Sequence, residues 1–298
     1  MKLLPSLKQL EYLVALADTL HFGRASERCN ITPSTLSAGI RDLEHIVGVA
    51  LAERTKRHVL MTPIGNDIAD RARRLLRDAE DIMDLAAANR EPMTGDMRLG
   101  VIPTISPFLL PRVLPKLNRR YPGLRLFLRE ERTDALLARV RSGDIDVALI
   151  ALPYDTGDLV REVLFEDPFE FACASSHPLA SANRVSLDAL AREPLLLLEE
   201  GHCLRGHALD ACQLTEGRIR AQFEASSLHT LVQMVAADLG VTLLPKLALD
   251  AHITRGCNIK QVPLSRPASR DIGLVWRQTS ERAQEFRLLG GQLSALAD

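Results

Sequence analysis

The sequence predicts a mainly helical N-terminal domain, a long connecting helix and then an α/β domain. Three observations predict it. Apolar residues recur at helical spacing up to Leu43, and a seam of alternating four- and three-residue steps then runs from Ile68 to Ala86. Beyond Met97, short apolar strands alternate with helical stretches, the pattern of helices packed on a parallel sheet.

Leu7, Leu10, Leu13, Val14 and Ala17 share one helical face over residues 6–18, with Ser6 as the N-cap. Phe22, Ala25 and Cys29 form the face of a short second helix that ends near Asn30. Thr32-Pro33 supplies the N-cap and first-turn proline of a third helix, in which Leu36, Ile40 and Leu43 point inward. Two short helices joined by a tight turn make a helix-turn-helix. The third helix presents Thr32, Pro33, Ser34, Thr35, Ser37 and Arg41 on its early turns, hydroxyls and a guanidinium suited to phosphates and base edges. It is the candidate recognition helix. After Gly48, the basic turn Arg54-Thr55-Lys56-Arg57 between short apolar segments reads as the wing of a winged helix, with Arg54, Lys56 and Arg57 against phosphates.

Thr62-Pro63 opens the long helix, whose seam Ile68, Ala72, Leu75, Ala79, Ile82, Ala86 suits pairing with a second chain. Met97–Ile102 is the next strand, followed by a helix from Ser106-Pro107, a strand over 124–128, a helix over 133–142 and a strand over 146–151. Residues 169–174 and 195–198 read as strands, 228–239 as a helix closed by Gly240, 241–244 as a strand, and 272–276 as the last strand before a C-terminal helix. Thr104, Thr133 and Ser226-Ser227 stand at strand ends or helix starts, where a ligand would meet hydroxyls and free amides. As isolated residues, each reads first as an N-cap rather than a ligand contact.

The chain of 298 residues is 46% apolar and 25% charged with a formal charge of −1, so no global field draws it to nucleic acid or membrane. DNA binding must come from a local patch. Residues 1–65 carry eight Lys and Arg against six Asp and Glu, a net of +2 clustered near the wing. Five cysteines in so long a chain suit a reducing compartment. Charges at Lys8, Glu11 and Asp18 interrupt any signal-peptide core, so a cytoplasmic protein with no membrane partner is expected.

Gly201-His202-Cys203-Leu204-Arg205-Gly206-His207 followed by Cys212 sets two thiols nine positions apart among cationic side chains. Such neighbours favour thiolate, the form that attacks a peroxide or a second sulfur. Cys203 is the candidate sensor and Cys212 its candidate partner. Held in one helix, their alpha carbons would lie about 13.5 Å apart, against roughly 5.5 Å for a disulfide. Bridging them requires the segment to refold. Inert apolar thiols are the other reading, and it fits Cys29, Cys173 and Cys257. A zinc site from His202, Cys203, His207 and Cys212 matches no paired-ligand spacing, so no metal or cofactor is expected.

The runs Phe22-Gly23-Arg24-Ala25-Ser26, Thr32-Pro33-Ser34-Thr35-Leu36-Ser37, Ile40-Arg41-Asp42-Leu43-Glu44 and Leu60-Met61-Thr62-Pro63-Ile64-Gly65 resemble the LysR-type transcriptional regulators over the whole chain. The resemblance implies a winged helix-turn-helix over 1–65, a linker and dimerisation helix over 66–91, and a regulatory domain over 96–298. That domain has two subdomains like those of periplasmic binding proteins, I at about 96–166 with 269–298 and II at about 167–268. It also implies a homodimer or homotetramer on promoter DNA that works with RNA polymerase and is not an enzyme.

The thiol segment, with Ala225-Ser226-Ser227-Leu228 and Thr242-Leu243-Leu244-Pro245, is similar to the peroxide-sensing branch of that family. By that resemblance hydrogen peroxide is the signal, Cys203 becomes a sulfenic acid, and Cys212 resolves it to a disulfide that activates oxidative-stress genes. Thr104, Thr133, His202, Arg205 and Arg270 would hold the peroxide and support the thiolate. Gly206-His207 departs from the branch's pattern. The alternative is a regulator of the same family that answers a small organic effector in the cleft between subdomains.

Overall fold

Ser6 opens the first helix with a capping box: its hydroxyl accepts from the Gln9 amide at 3.3 Å, and the Gln9 side chain accepts from the Ser6 amide at 2.9 Å. The computed structural model describes residues 3–54, 59–87, 92–212 and 224–295. The chain divides into two units, residues 1–90 and 91–298.

In the first unit, α1 (Leu7–Thr19), α2 (Phe22–Arg28) and α3 (Pro33–Val47) form the helix-turn-helix and its supporting helix. His21 caps α2 through Nδ1, which accepts from the amides of Gly23 and Arg24, and Thr32 caps α3. Leu13, Leu16, Leu36, Ile40 and Leu43 are wholly buried between them. A side chain at Gly39 would bring its Cβ within 2.6 Å of the Tyr12 ring, so glycine there lets α3 approach α1. Strands β1 (Ala52–Arg54) and β2 (Val59–Met61) pair antiparallel as the expected wing. Glu44 fastens the wing to α3 by accepting from the amides of Leu51 and Ala52. Lys56 and Arg57 lie outside the described residues.

Helix α4 (Pro63–Ala87) starts on Thr62, whose hydroxyl accepts from the Gly65 amide at 3.0 Å. Its seam divides. Ala72 is buried in the core of its own unit with Ile68 packed against it, whereas Leu75 and Ile82 are 53% and 65% exposed.

The second unit runs β3 (Gly95–Val101), α5 (Ser106–Arg120), β4 (Leu124–Glu130), α6 (Thr133–Ser142), β5 (Val147–Leu152) and β6 (Val160–Ala174). It continues through α7 (Leu187–Leu190), β7 (Leu197–Leu198), α8 (Cys203–Cys212), β8 (Glu224–Ala225), α9 (Leu228–Ala236), β9 (Thr242–Pro245), α10 (Lys246–Asp250), β10 (Ile259–Val262), β11 (Ser269–Trp276) and α11 (Ala283–Ser294). The main sheet has the order β10-β6-β11-β5-β3-β4, with β9 also on β6.

This sheet is mixed, which corrects the parallel reading. β3 pairs parallel with β4 and β5, but β11 returns between β5 and β6 antiparallel to both, and β9 and β10 are antiparallel to β6. The strand expected over 169–174 is the second half of β6. Its first half, up to Pro168, pairs with β11, and from Phe169 the same strand pairs with β9 and β10 instead. The Phe169 amide donates to Ala268 O at 2.8 Å, beside the start of β11 at Ser269, where β6 changes partners. Strand β7 is shorter than the expected 195–198, and Leu195 makes only an isolated bridge to Val241. Helix α9 stops at Ala236, short of Leu239, because Asp238 turns left-handed at φ 61°. No helix among the described residues is long and apolar enough to cross a membrane.

Candidate functional site

Cys203 is the first residue of α8, a half-buried free thiol. Amides at a helix start carry partial positive charge, which favours an anion there. The approach to α8 needs Gly201, at φ +89° and so close to Arg132 that a Cβ would sit 3.0 Å from its Nη1. That Nη1 donates to Glu200 O at 3.1 Å, and Nη2 pairs with the Glu199 carboxylate. Arg132 is also the residue before α6, so the start of α6 is pinned beside the start of α8.

Two more residues follow Arg132 at that helix start. Thr133 is buried, and its hydroxyl has no partner among the described residues. Asp134 accepts a 2.6 Å bond from the Tyr154 hydroxyl. Burial, this bond, the Asp134 charge and the nearby Cys203 all push the Tyr154 hydroxyl up in pKa, so it stays a donor. His202 is buried with Nε2 3.8 Å from Glu199. Burial chiefly, then the Arg132 charge, hold its imidazole below its ordinary pKa against the pull of Glu199. It is a neutral ring at neutral pH.

Arg270 and Thr104, far apart in sequence, are bonded directly. The wholly buried Arg270 donates from Nη1 to Thr104 Oγ1 at 2.8 Å and from Nη2 to Thr104 O at 3.1 Å. Its Nε donates to the buried Asp167 at 3.0 Å, and Asp167 accepts from the Leu247 amide at 2.9 Å. Arg205 stands elsewhere, donating to Leu198 O at 3.2 Å and to Glu224 at 2.9 Å, so it braces α8 on the β7–β8 pair.

His207 lies one turn beyond Cys203, buried, with Nε2 2.9 Å from Pro153 O. Burial first, with help from Arg270, holds its pKa down against the carbonyl bond and Asp210. Because α8 is helical from Cys203 to Cys212, nine residues of rise part their alpha carbons by about 13.5 Å. The Cys212 side chain lies outside the described residues. Among the described residues no cluster of three or more His, Cys, Asp or Glu could hold a metal ion.

In the first unit, Thr32 Oγ1 lies 2.9 Å from Ser34 Oγ and 2.8 Å from Thr35 Oγ1, which ties the three hydroxyls into one exposed cluster at the start of α3. Pro33 is at the first turn, Ser37 is half-buried and Arg41 is exposed one turn on. Arg54 ends β1, and its side chain lies outside the described residues. The sequence reading missed Arg132, Tyr154 and Asp167, whose partners lie 67, 20 and 103 positions away.

Residues 7–66 match the family model "Bacterial regulatory helix-turn-helix protein, lysR family", and residues 90–297 match "LysR substrate binding domain". The chain is 41% identical over 290 residues to the HTH-type transcriptional regulator EstR of Acinetobacter baylyi, covering 97% of this chain and 96% of that one. It is 40% identical over 294 residues to the hydrogen peroxide-inducible genes activator of Dickeya chrysanthemi, covering 98% and 94%. A full-length OxyR of Pseudomonas aeruginosa carrying a cysteine-to-aspartate substitution matches with a TM-score of 0.79 at 34% identity, over 97% of this chain and 94% of that one.

Asp167→Ala strands the Arg270 charge in the core and should destabilise the second unit by about 3–5 kcal/mol. A melting temperature equal to that of the wild type would contradict it. Since His202 and His207 resist protonation when folded, while an unfolded imidazole takes a proton near pH 6.5, stability should fall as pH drops from 7 to 5. Urea midpoints across that range check this, and His207→Phe should flatten the slope.

Proposed function

The chain belongs to the LysR family of transcriptional regulators, and we propose that within it the protein senses hydrogen peroxide through Cys203. The supporting observation is the placement of a free thiol at the first residue of α8, beside a neutral buried His202, with Arg132 and Thr133 at the start of α6 and the Tyr154 hydroxyl bonded to Asp134 there. The Cys203 thiolate attacks one peroxide oxygen, the O–O bond breaks, and hydroxide leaves with a proton supplied by the site, giving a sulfenic acid and water. The Cys212 thiol then attacks the sulfenic sulfur. A disulfide forms and a second water leaves.

In this mechanism Thr133 and His202 position the peroxide by hydrogen bonds. Arg132 supplies the positive charge at the approach to Cys203, while Arg205 acts through α8 by bracing it on β7–β8. Thr104 and Arg270 hold the turn after β3 in place. Forming the disulfide requires α8 to unwind, and this unwinding is the signal. The output is activation of oxidative-stress genes from promoter DNA, with RNA polymerase as partner, in the cytoplasm. Thr32, Pro33, Ser34, Thr35, Ser37, Arg41, Arg54, Lys56 and Arg57 form the DNA face, and the exposed Leu75 and Ile82 of α4 suit a homodimer or homotetramer.

A second reading, a regulator answering a small organic effector in the cleft between subdomains, is favoured by the similarity to EstR, whose name carries no peroxide. Cys203→Ser separates the two. Near-stoichiometric peroxide should crosslink Cys203 to Cys212 in the wild type within minutes and not in Cys203→Ser, as read by non-reducing peptide mass spectrometry. Unreactive thiols, or peroxide-dependent transcription that persists in Cys203→Ser, would favour the organic effector. On the DNA face, Arg41→Ala should weaken promoter binding about ten-fold, with an unchanged melting temperature because its side chain is exposed. Gel shifts at fixed salt measure this.

A further inference from the structure

His207 stands inside the segment that the two thiols would close, four residues past Cys203 and five before Cys212. It is buried, and its Nε2 lies 2.9 Å from Pro153 O. A carbonyl only accepts, so Nε2 carries the proton of the neutral ring and Nδ1 is a bare acceptor. That Nδ1 is buried and meets no partner among the described residues.

Protonating the ring in this position would put a second N–H on Nδ1 with no acceptor to receive it, and would bury a charge. The charged groups that reach the ring do not repair this. Arg270 on β11 repels a cation, whereas Asp210 of α8 itself, which attracts one, is exposed and screened by solvent. Strand β7, also packed on α8, is two leucines and brings no charge. Burial above all therefore holds the imidazole below its ordinary pKa while α8 is docked. The docked helix and a protonated His207 exclude each other.

Closing Cys203 on Cys212 cannot leave that environment intact. Their alpha carbons, about 13.5 Å apart in the helix, must come to roughly 5.5 Å, and His207 lies on the backbone between them. Resting here on the reading above, in which oxidation unwinds α8, the ring leaves Pro153 O for water, where an imidazole takes a proton near pH 6.5. We propose that disulfide formation in this protein is coupled to the uptake of one proton at His207, so that acid favours the oxidised state. Two thiols and one hydrogen peroxide give a disulfide and two waters with no net proton. The proton on His207 comes from solvent in addition. Below about pH 6.5 each unit of pH then raises the oxidised-to-reduced ratio by up to about ten-fold, and well above it the coupling vanishes.

Proton uptake by the full-length protein during oxidation with one equivalent of peroxide is read with a pH indicator in weak buffer. The wild type should take up about one proton more per disulfide than His207→Gln at pH 5.5, and the two should agree at pH 8. Glutamine keeps an N–H for Pro153 O, so the variant retains the docked helix, which its melting temperature checks. Groups common to both proteins, His202 among them, cancel in the difference. In dithiothreitol redox buffers, whose thiol protons cancel those of the protein, the oxidised-to-reduced ratio should rise about ten-fold more in the wild type than in the variant between pH 7.5 and 5.5. Equal uptake by the two proteins at pH 5.5, or parallel pH profiles of the ratio, would overturn the coupling and leave peroxide sensing in place. Where the variant fails to fold, the wild type decides: uptake that rises below pH 6.5 supports the coupling, and uptake that stays flat from pH 8 to 5.5 overturns it. If no disulfide forms at all, the peroxide reading fails and the coupling fails with it.

Discussion

A guanidinium sealed inside the regulatory domain organises everything around it. Arg270, at the start of β11, pairs with Asp167 of β6 just before β6 changes partners from β11 to β9 and β10. An isolated buried charge is costly enough that it must be paired and its remaining donors satisfied. Arg270 meets that demand with three oxygens from two places: Asp167 on β6, and both oxygens of Thr104 in the turn after β3. Asp167 in turn receives the Leu247 amide at the start of α10. Four segments remote in sequence are thereby held to one geometry, and removing any member leaves the others desolvated without partners. The rigid frame against which α8 is docked begins here.

Against that frame α8 is a marginal element. Ten residues are too few to be helical alone in water, and a glycine within a helix, here Gly206, costs roughly 1 kcal/mol relative to alanine. Docking supplies what the helix lacks. Leu204, Ala208 and Leu209 are buried, each leucine contributing about 1.5–3 kcal/mol, while Arg205 and His207 anchor opposite flanks to Leu198, Glu224 and Pro153. The balance is thus a few kcal/mol, well below the cost of unfolding the domain. A covalent event at Cys203 can tip such a balance without touching the Arg270 frame, and that separation lets one helix move while the sheet stays.

Much of this was legible in the sequence because it is local. Caps at Ser6 and Thr32, the proline at the head of α3 and the apolar period of α1 act over one or two turns, and the bounds of α6 at Thr133 and Ser142 follow from short-range pattern alone. The thiol segment was legible for the same reason. The first half of β6 was not: Arg161, Glu162, Glu166 and Asp167 interrupt its apolar residues, and Pro168 sits within it, so periodicity gives no strand. That proline is tolerated because the ladder changes partners there, from β11 to β9 and β10. Arg132, Tyr154 and Asp167 gain their meaning from partners brought close only by the folded sheet. No window along the chain contains both members of those pairs at recognisable spacing.

The route of the signal out of α8 follows from what the helix holds. Arg205 is the brace between α8 and the β7–β8 pair, through Leu198 O and the Glu224 carboxylate. On the proposed mechanism, drawing Cys203 toward Cys212 shortens a path of about 13.5 Å to roughly 5.5 Å, which the helical backbone cannot accommodate with Arg205 in place. The brace must go with the helix. β7 and β8 are two residues each, joined only by a short parallel ladder, so their pairing depends on such side-chain support more than a long strand's would. The first surface to change is therefore the β7–β8 edge rather than the main sheet. On that proposed mechanism oxidation is transmitted by releasing an edge, and the Asp167–Arg270 frame keeps that release from spreading through the core.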